Sequence, residues 1–144
     1  MPQESELKIS RRFAAPRERV FDAFLDPEAL RQWWGPESMT CPEPRVDATV
    51  GGAYELAIYN SEGETHIVAG VYREITKPER LAFTWRWMHI PESVEMLVTL
   101  TFTQAGGGTV LDLHQTLMPS DESAQMHNQG WSSSFNKLEN YLTT

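Results

Sequence analysis

The stretch from Ser120 to Leu142 constrains the fold most. Ala124, His127, Trp131, Phe135, Leu138 and Leu142 recur at steps of three or four, which draws one wide stripe along an amphipathic helix. Pro119 and Ser120 precede it, and Asp121 and Glu122 fall in the first turn, where negative charge complements the helix dipole. The sequence ends at Thr144, so this helix is expected to be the final element. Most of what precedes it reads as short strands, each with one apolar face and nothing else in sequence to cover it. The pattern predicts a sheet curled around one long helix, with a pocket left between them.

The strands are legible from alternation. Leu7, Ile9 and Phe13 alternate with Lys8, Ser10 and Arg12, and Arg11 breaks the pattern. Pro16 opens a short helix carrying Val20, Phe21 and Phe24 on one side. A second short helix has full punctuation: Asp26 as N-cap, Pro27 and Glu28 in the first turn, Gly35-Pro36 as the stop, with Leu30, Trp33 and Trp34 on its inner side. Residues 37–44 read as an exposed, mobile loop. Arg45 to Val50 reads as a strand ending at Gly51-Gly52. Tyr54, Leu56 and Ile58 alternate next. Thr65 to Ile75 follows with an ambiguous phase, Val68 and Tyr72 opposing Ile67, Ala69 and Val71. Leu81, Phe83, Trp85 and Trp87 then make one strongly aromatic face. Val94, Met96, Val98, Leu100 and Phe102 alternate after Pro91, and past the Gly106-Gly107-Gly108 hairpin Leu111 and Leu113 continue the last strand. The connections from Ala53 onward are too short for parallel crossovers, so these strands are expected to form an antiparallel meander.

About seven strands at ~4.8 Å spacing make a sheet roughly 30 Å wide, whereas a helix with its side chains is only ~10–12 Å across. The sheet must therefore bend around the helix, helped by its twist and by Gly51, Gly52 and Gly70, with the two short helices closing one end. Large rings fill such a curved volume incompletely, and a cavity is expected. Its expected lining is Trp34 from the second short helix, Tyr54, Leu56, His66, Val68, Tyr72, Phe83, Trp85, Trp87, Met96, Val98, Leu113 and Gln115 from the strands, and His127, Trp131 and Phe135 from the final helix. The alternative is that the rings simply are the core. Gly130, inside a helical pattern, leans towards a packing or access reason.

Composition narrows the partners. The chain of 144 residues is one domain with a single core, and its net charge of −8, twenty acids against twelve bases, argues against a nucleic-acid partner. The start at Met1 lacks the order of a signal peptide, and no apolar run approaches the ~18 residues of a membrane span. One cysteine, Cys41, suits a reducing cytoplasm. Edge strands, above all the first, fit either a monomer or a homodimer.

Four segments in order carry a resemblance: D-P-E-A-L-R-Q-W-W-G-P from Asp26 to Pro36, V-G-G-A-Y-E-L from Val50 to Leu56, P-E-R-L-A-F-T-W from Pro78 to Trp85, and H-N-Q-G-W from His127 to Trp131. Together they resemble the activator of Hsp90 ATPase homologue 1-like family, within the START/Bet v 1-like helix-grip (SRPBCC) superfamily. That resemblance runs from about Leu7 to Leu142. It implies an α+β helix-grip domain: a seven-stranded antiparallel sheet around a long C-terminal helix, two short helices after the first strand, and a hydrophobic cavity between. The superfamily looks like a set of carriers, receptors, cyclases and co-chaperone domains on one scaffold, so the fold alone selects no activity. The eukaryotic activators it resembles carry a separate chaperone-binding domain that this sequence does not supply.

His66, His89, His114 and His127 lie far apart in no metal-ligand spacing, so neither metal nor cofactor is expected. Asp112 and His114 fall on the face opposite Leu111 and Leu113, towards solvent. His127 sits on the inner stripe and reads either as a core histidine satisfied by backbone, the favoured reading, or as a ligand contact or acid–base group. His66 would face inward with Val68 and Tyr72, and Gln115 continues the Leu111–Leu113 face towards the cavity mouth. The expectation is a binder of a small, largely hydrophobic molecule. A cyclase- or hydrolase-type enzyme using His66, His127, Gln115 and Tyr72 is the first alternative, and a stress-response partner of an Hsp90-type chaperone the second.

Overall fold

The computed structural model describes residues 5–143; the polar start read from Met1 to Glu4 lies outside them, as does Thr144. The elements are β1 (Ser5–Phe13), α1 (Arg17–Asp22), α2 (Pro27–Trp33), β2 (Arg45–Val46), β3 (Ala53–Tyr59), β4 (Thr65–Thr76), β5 (Arg80–Trp87), β6 (Met96–Ala105), β7 (Gly108–Met118) and α3 (Asp121–Leu142). They form a seven-stranded sheet in the order β1-β7-β6-β5-β4-β3-β2, antiparallel throughout. The α+β helix-grip architecture read from the sequence is the one present.

Local chemistry explains the helix boundaries. Ser120 caps α3 by accepting a hydrogen bond from the Ser123 amide at 3.0 Å, and the Asp26 carboxylate caps α2 by accepting from Glu28 N. Gly35 ends the α2 segment at φ +94°, and a Cβ there would stand 2.9 Å from Ile58 Cγ2. Arg11, which interrupts the alternation of β1, reaches α3 instead. Its guanidinium donates to Ser132 O and Glu139 and lies 5.6 Å from the Phe13 ring centroid.

The phase of β4 resolves with Val68 and Tyr72 inward and buried. Gly70, between them, passes so close to the Thr84 carbonyl that a Cβ would collide with it, and the β4–β5 register slips just beyond, between Tyr72 and Glu74. An irregularity of this kind increases the local bend and twist of a strand. Three boundaries differ from the sequence reading. β2 is two residues long, because residues 47–52 fold into a turn whose Gly51 N and Gly52 O pair with Tyr72. β6 starts at Met96, leaving Val94 exposed in the preceding loop. The 37–44 segment, read as exposed and mobile, buries Met39 and Cys41 and joins β3 by a Thr40–Tyr59 bridge. It is tied down by Lys137, whose Nζ donates to Met39 O at 2.9 Å and also reaches Trp34 O and Pro36 O.

The core divides along α3. Towards its C-terminal end Phe135, Leu138 and Leu142 are buried in the same cluster as Phe13, Val20, Phe21, Phe24, Trp33 and Phe102. Edge-on ring contacts at 5.8 Å for Phe13–Phe135 and 4.8 Å for Phe24–Trp33 fill that half. The hollow lies at the other half. No helix among the described residues is long and apolar enough to cross a membrane.

Candidate functional site

Between the N-terminal half of α3 and the inner faces of β3, β4, β5 and β6 lies a cavity of about 730 Å³. That is within the range of ~300–1,000 Å³ of small-molecule sites. Trp34 closes its floor from the C-cap of α2; Leu56, Val68, Trp85 and Met96 come from the sheet; His127 and Trp131 come from α3. All seven are buried. His66 and Trp87, at the outer end of the sheet face, are half-buried. These nine expected lining residues are brought together there.

The other seven are not. Val98, Leu113 and Phe135 are packed away from the cavity, with at most 1% of their surface exposed. Tyr54, Tyr72 and Phe83 pack against one another at 5.5–6.2 Å around a void of about 10 Å³, which admits no more than one water. The Tyr54 hydroxyl is spent on the Thr84 carbonyl. Gln115 is fully buried behind the cavity wall instead of lying at its mouth. Strand alternation assigns a residue to a face, but its position along the helix decides whether that face meets packing or space.

Sequence reasoning missed Ile58, which the alternation of β3 carries with Leu56, and it missed the loops. Gly35, Pro36 and Met39 line the cavity from the loop after α2, His89, Ile90, Glu92, Ser93 and Val94 from the loop after β5, and Met126 and Gln129 from the exposed turns of α3. Loop residues have no periodicity to give them away. Gly130 also lines the cavity, and a Cβ on it would meet nothing within 4 Å, so close packing does not require glycine there.

Three histidines distant in sequence gather around Trp87: His66 at 6.1 Å between ring centroids, His89 at 5.2 Å and His127 at 5.7 Å. His66 stacks on His89, whose Nδ1 accepts from Ile67 N. Among the described residues no three His, Cys, Asp or Glu side chains stand as metal ligands. The fourth histidine, His114, points away and pairs with Glu6 at 3.0 Å, holding that carboxyl below its usual range.

The polar end of the cavity is a side-chain chain. Trp131 Nε1 donates to Gln115 Oε1 at 2.9 Å, the Gln115 amide stands 3.4 Å from both Met96 Sδ and His127 Nδ1, and Trp87 Nε1 stands 3.4 Å from His127 Nε2. The partners of His127 are thus side chains, not the backbone expected from sequence. Burial pushes its pKa down to about 4, so the imidazole is neutral at ordinary pH. Cys41, outside the cavity, is buried with its thiol pushed up to about 11, which makes it inert.

The family model described as activator of Hsp90 ATPase homolog 1-like protein matches residues 14–143. A solved structure of a Chromobacterium violaceum protein is similar at 31% identity over 96% of this chain and 97% of that one, with a TM-score of 0.89. A Silicibacter pomeroyi protein of the same family name is similar at 30% identity over 96% and 98%, TM-score 0.86. CalU16 from Micromonospora echinospora, 22% identical over 96% of this chain and 76% of that chain with a TM-score of 0.73, shares the fold. No curated protein matches the sequence.

Proposed function

Because this chain belongs to the activator of Hsp90 ATPase homolog 1-like family, a helix-grip scaffold on which the site must argue the activity, we propose that it binds a small, largely hydrophobic molecule in the cavity under α3. The cavity itself carries the reading: about 730 Å³ walled by Trp34, Leu56, Val68, Trp85, Met96 and Trp131. An apolar guest leaves water for those walls at roughly 25 cal/mol per Å² of apolar surface buried. The rim supports it too, because Ile90, Val94 and Met126 are exposed hydrophobic side chains around the opening, a surface that a guest entering there would meet first.

The experiment is a thermal-shift and native mass-spectrometry screen of lipids and apolar aromatic compounds. A ligand present at a hundred times its Kd adds about 2.7 kcal/mol to stability, enough for a clear rise in Tm. Gly130→Trp places bulk in the opening and is expected to abolish the shift without unfolding the protein. Silence across a broad library, or shifts that persist unchanged in Gly130→Trp, would remove the cavity as the binding site.

A further inference from the structure

The hydrogen-bond valences around His127 say more about the guest than the apolar walls do. An indole N–H only donates, so the Gln115 atom 2.9 Å from Trp131 Nε1 is the carbonyl oxygen. The Gln115 nitrogen, also a donor, therefore faces His127 Nδ1, while a second indole donor, Trp87 Nε1, faces His127 Nε2. A neutral imidazole has one lone pair and one N–H. Two donors compete for a single acceptor, and one contact cannot be a hydrogen bond.

Position decides which. Gln115 is fully buried and does not border the cavity, so an unmet amide hydrogen there would stay unmet. Trp87 is half-buried and lines the cavity, where a guest can serve it. The lone pair belongs at Nδ1, accepting from Gln115, and the proton at Nε2. Two N–H groups, His127 Nε2 and Trp87 Nε1, then face each other 3.4 Å apart with no acceptor for either. An oxygen lying to one side of that pair, about 2.9 Å from each nitrogen, can accept from both once the rings turn slightly towards it. A third donor belongs to the same ring cluster: Trp85 Nε1 is buried without a hydrogen-bond partner among the described residues, its ring 5.2 Å from Trp87 and 5.4 Å from His127. No lysine or arginine is among the lining residues, and the two charged ones are the carboxylates Glu92 and Glu122 at the rim. The site is rich in neutral donors and hostile to anions.

We propose that the guest is a neutral carbonyl compound, an apolar or aromatic body bearing a ketone, ester or amide oxygen, with that oxygen beside the pair and accepting from His127 Nε2–H and Trp87 Nε1–H. Gln115, oriented by Trp131, is the positioning residue that fixes the imidazole tautomer. The proposal rests on the cavity being a binding site, and the test separates the two. Titration with fluorenone, fluorene and fluorene carboxylic acid, three probes with one tricyclic body, is followed by tryptophan fluorescence. Fluorenone is expected to bind about tenfold or more tighter than fluorene, with the carboxylate weakest. Trp87→Phe, which keeps a ring and removes one N–H, is expected to weaken fluorenone several-fold more than it weakens fluorene, so that the ratio of the two affinities falls. Equal affinities for fluorene and fluorenone would overturn the carbonyl proposal while leaving the cavity as an apolar site; binding of none of the three would overturn both. Nitrogen-15 NMR of the unaltered protein provides a check free of any variant or ligand: a proton on His127 Nε2 agrees, and a proton on Nδ1 sinks the donor pair.

Discussion

His127 converts its surroundings into a pH dependence of stability. In the unfolded chain its imidazole takes up a proton near pH 6.5, whereas in the folded protein burial delays protonation to about 4. Between those values the unfolded state binds more protons, so the contribution is fully present above pH 6.5 and is lost as pH falls towards 4. The loss is on the order of 3 kcal/mol. Urea unfolding of the protein and of His127→Gln at about pH 7.5 and about pH 4.5 isolates this share. The stability difference between the two proteins is expected to shrink or reverse at the lower pH. A difference independent of pH would mean that the folded protein protonates His127 as easily as the unfolded chain.

Within α3, glycine and lysine divide the labour. Lys137 anchors the 37–44 loop by its hydrogen bonds to three carbonyls, which is why a stretch of prolines and turn formers without periodicity is nonetheless packed. Gly130 leaves space on the opposite stretch of the helix, where its missing side chain opens onto the cavity. A mid-helix glycine costs up to about 1 kcal/mol relative to alanine, and no neighbour would resist a Cβ here. Gly130→Ala is therefore expected to raise Tm by a few degrees while slowing or weakening capture of a bulky guest, measured by thermal melting beside ligand titration. A fall in Tm would indicate a constraint on this turn other than access.

For the whole molecule, packing and open space fall in different halves. The end around Phe13, Phe24, Trp33 and Phe135 is filled, and Val98 and Leu113 are packed in the same core. Leu113→Ala, at a site 1% exposed, is expected to cost about 2–5 kcal/mol in urea unfolding with little change in ligand affinity at temperatures where the protein stays folded. Gly130→Trp is expected to do the reverse: modest change in stability, loss of binding. If Leu113→Ala instead abolished binding in the folded protein, the packed and hollow halves would be one mechanical unit.

Length, alternation and helical period were enough to determine the antiparallel sheet, the terminal helix and its stripe, the cap at Asp26, and the inward faces carrying Trp85, Trp87, His127 and Trp131. These are properties of neighbours along the chain, and backbone periodicity transmits them directly. The four-segment resemblance added the name of the scaffold. Only the tertiary structure decided where space remains: why Val68 borders a cavity while Val98, equally apolar and equally inward, is packed; why Met39 and Cys41 leave the surface; and why Gln115 stands behind the wall, turned by Trp131 towards His127. Each of those outcomes depends on how far the helix stands from the sheet at one point, a distance set by side chains from both elements at once.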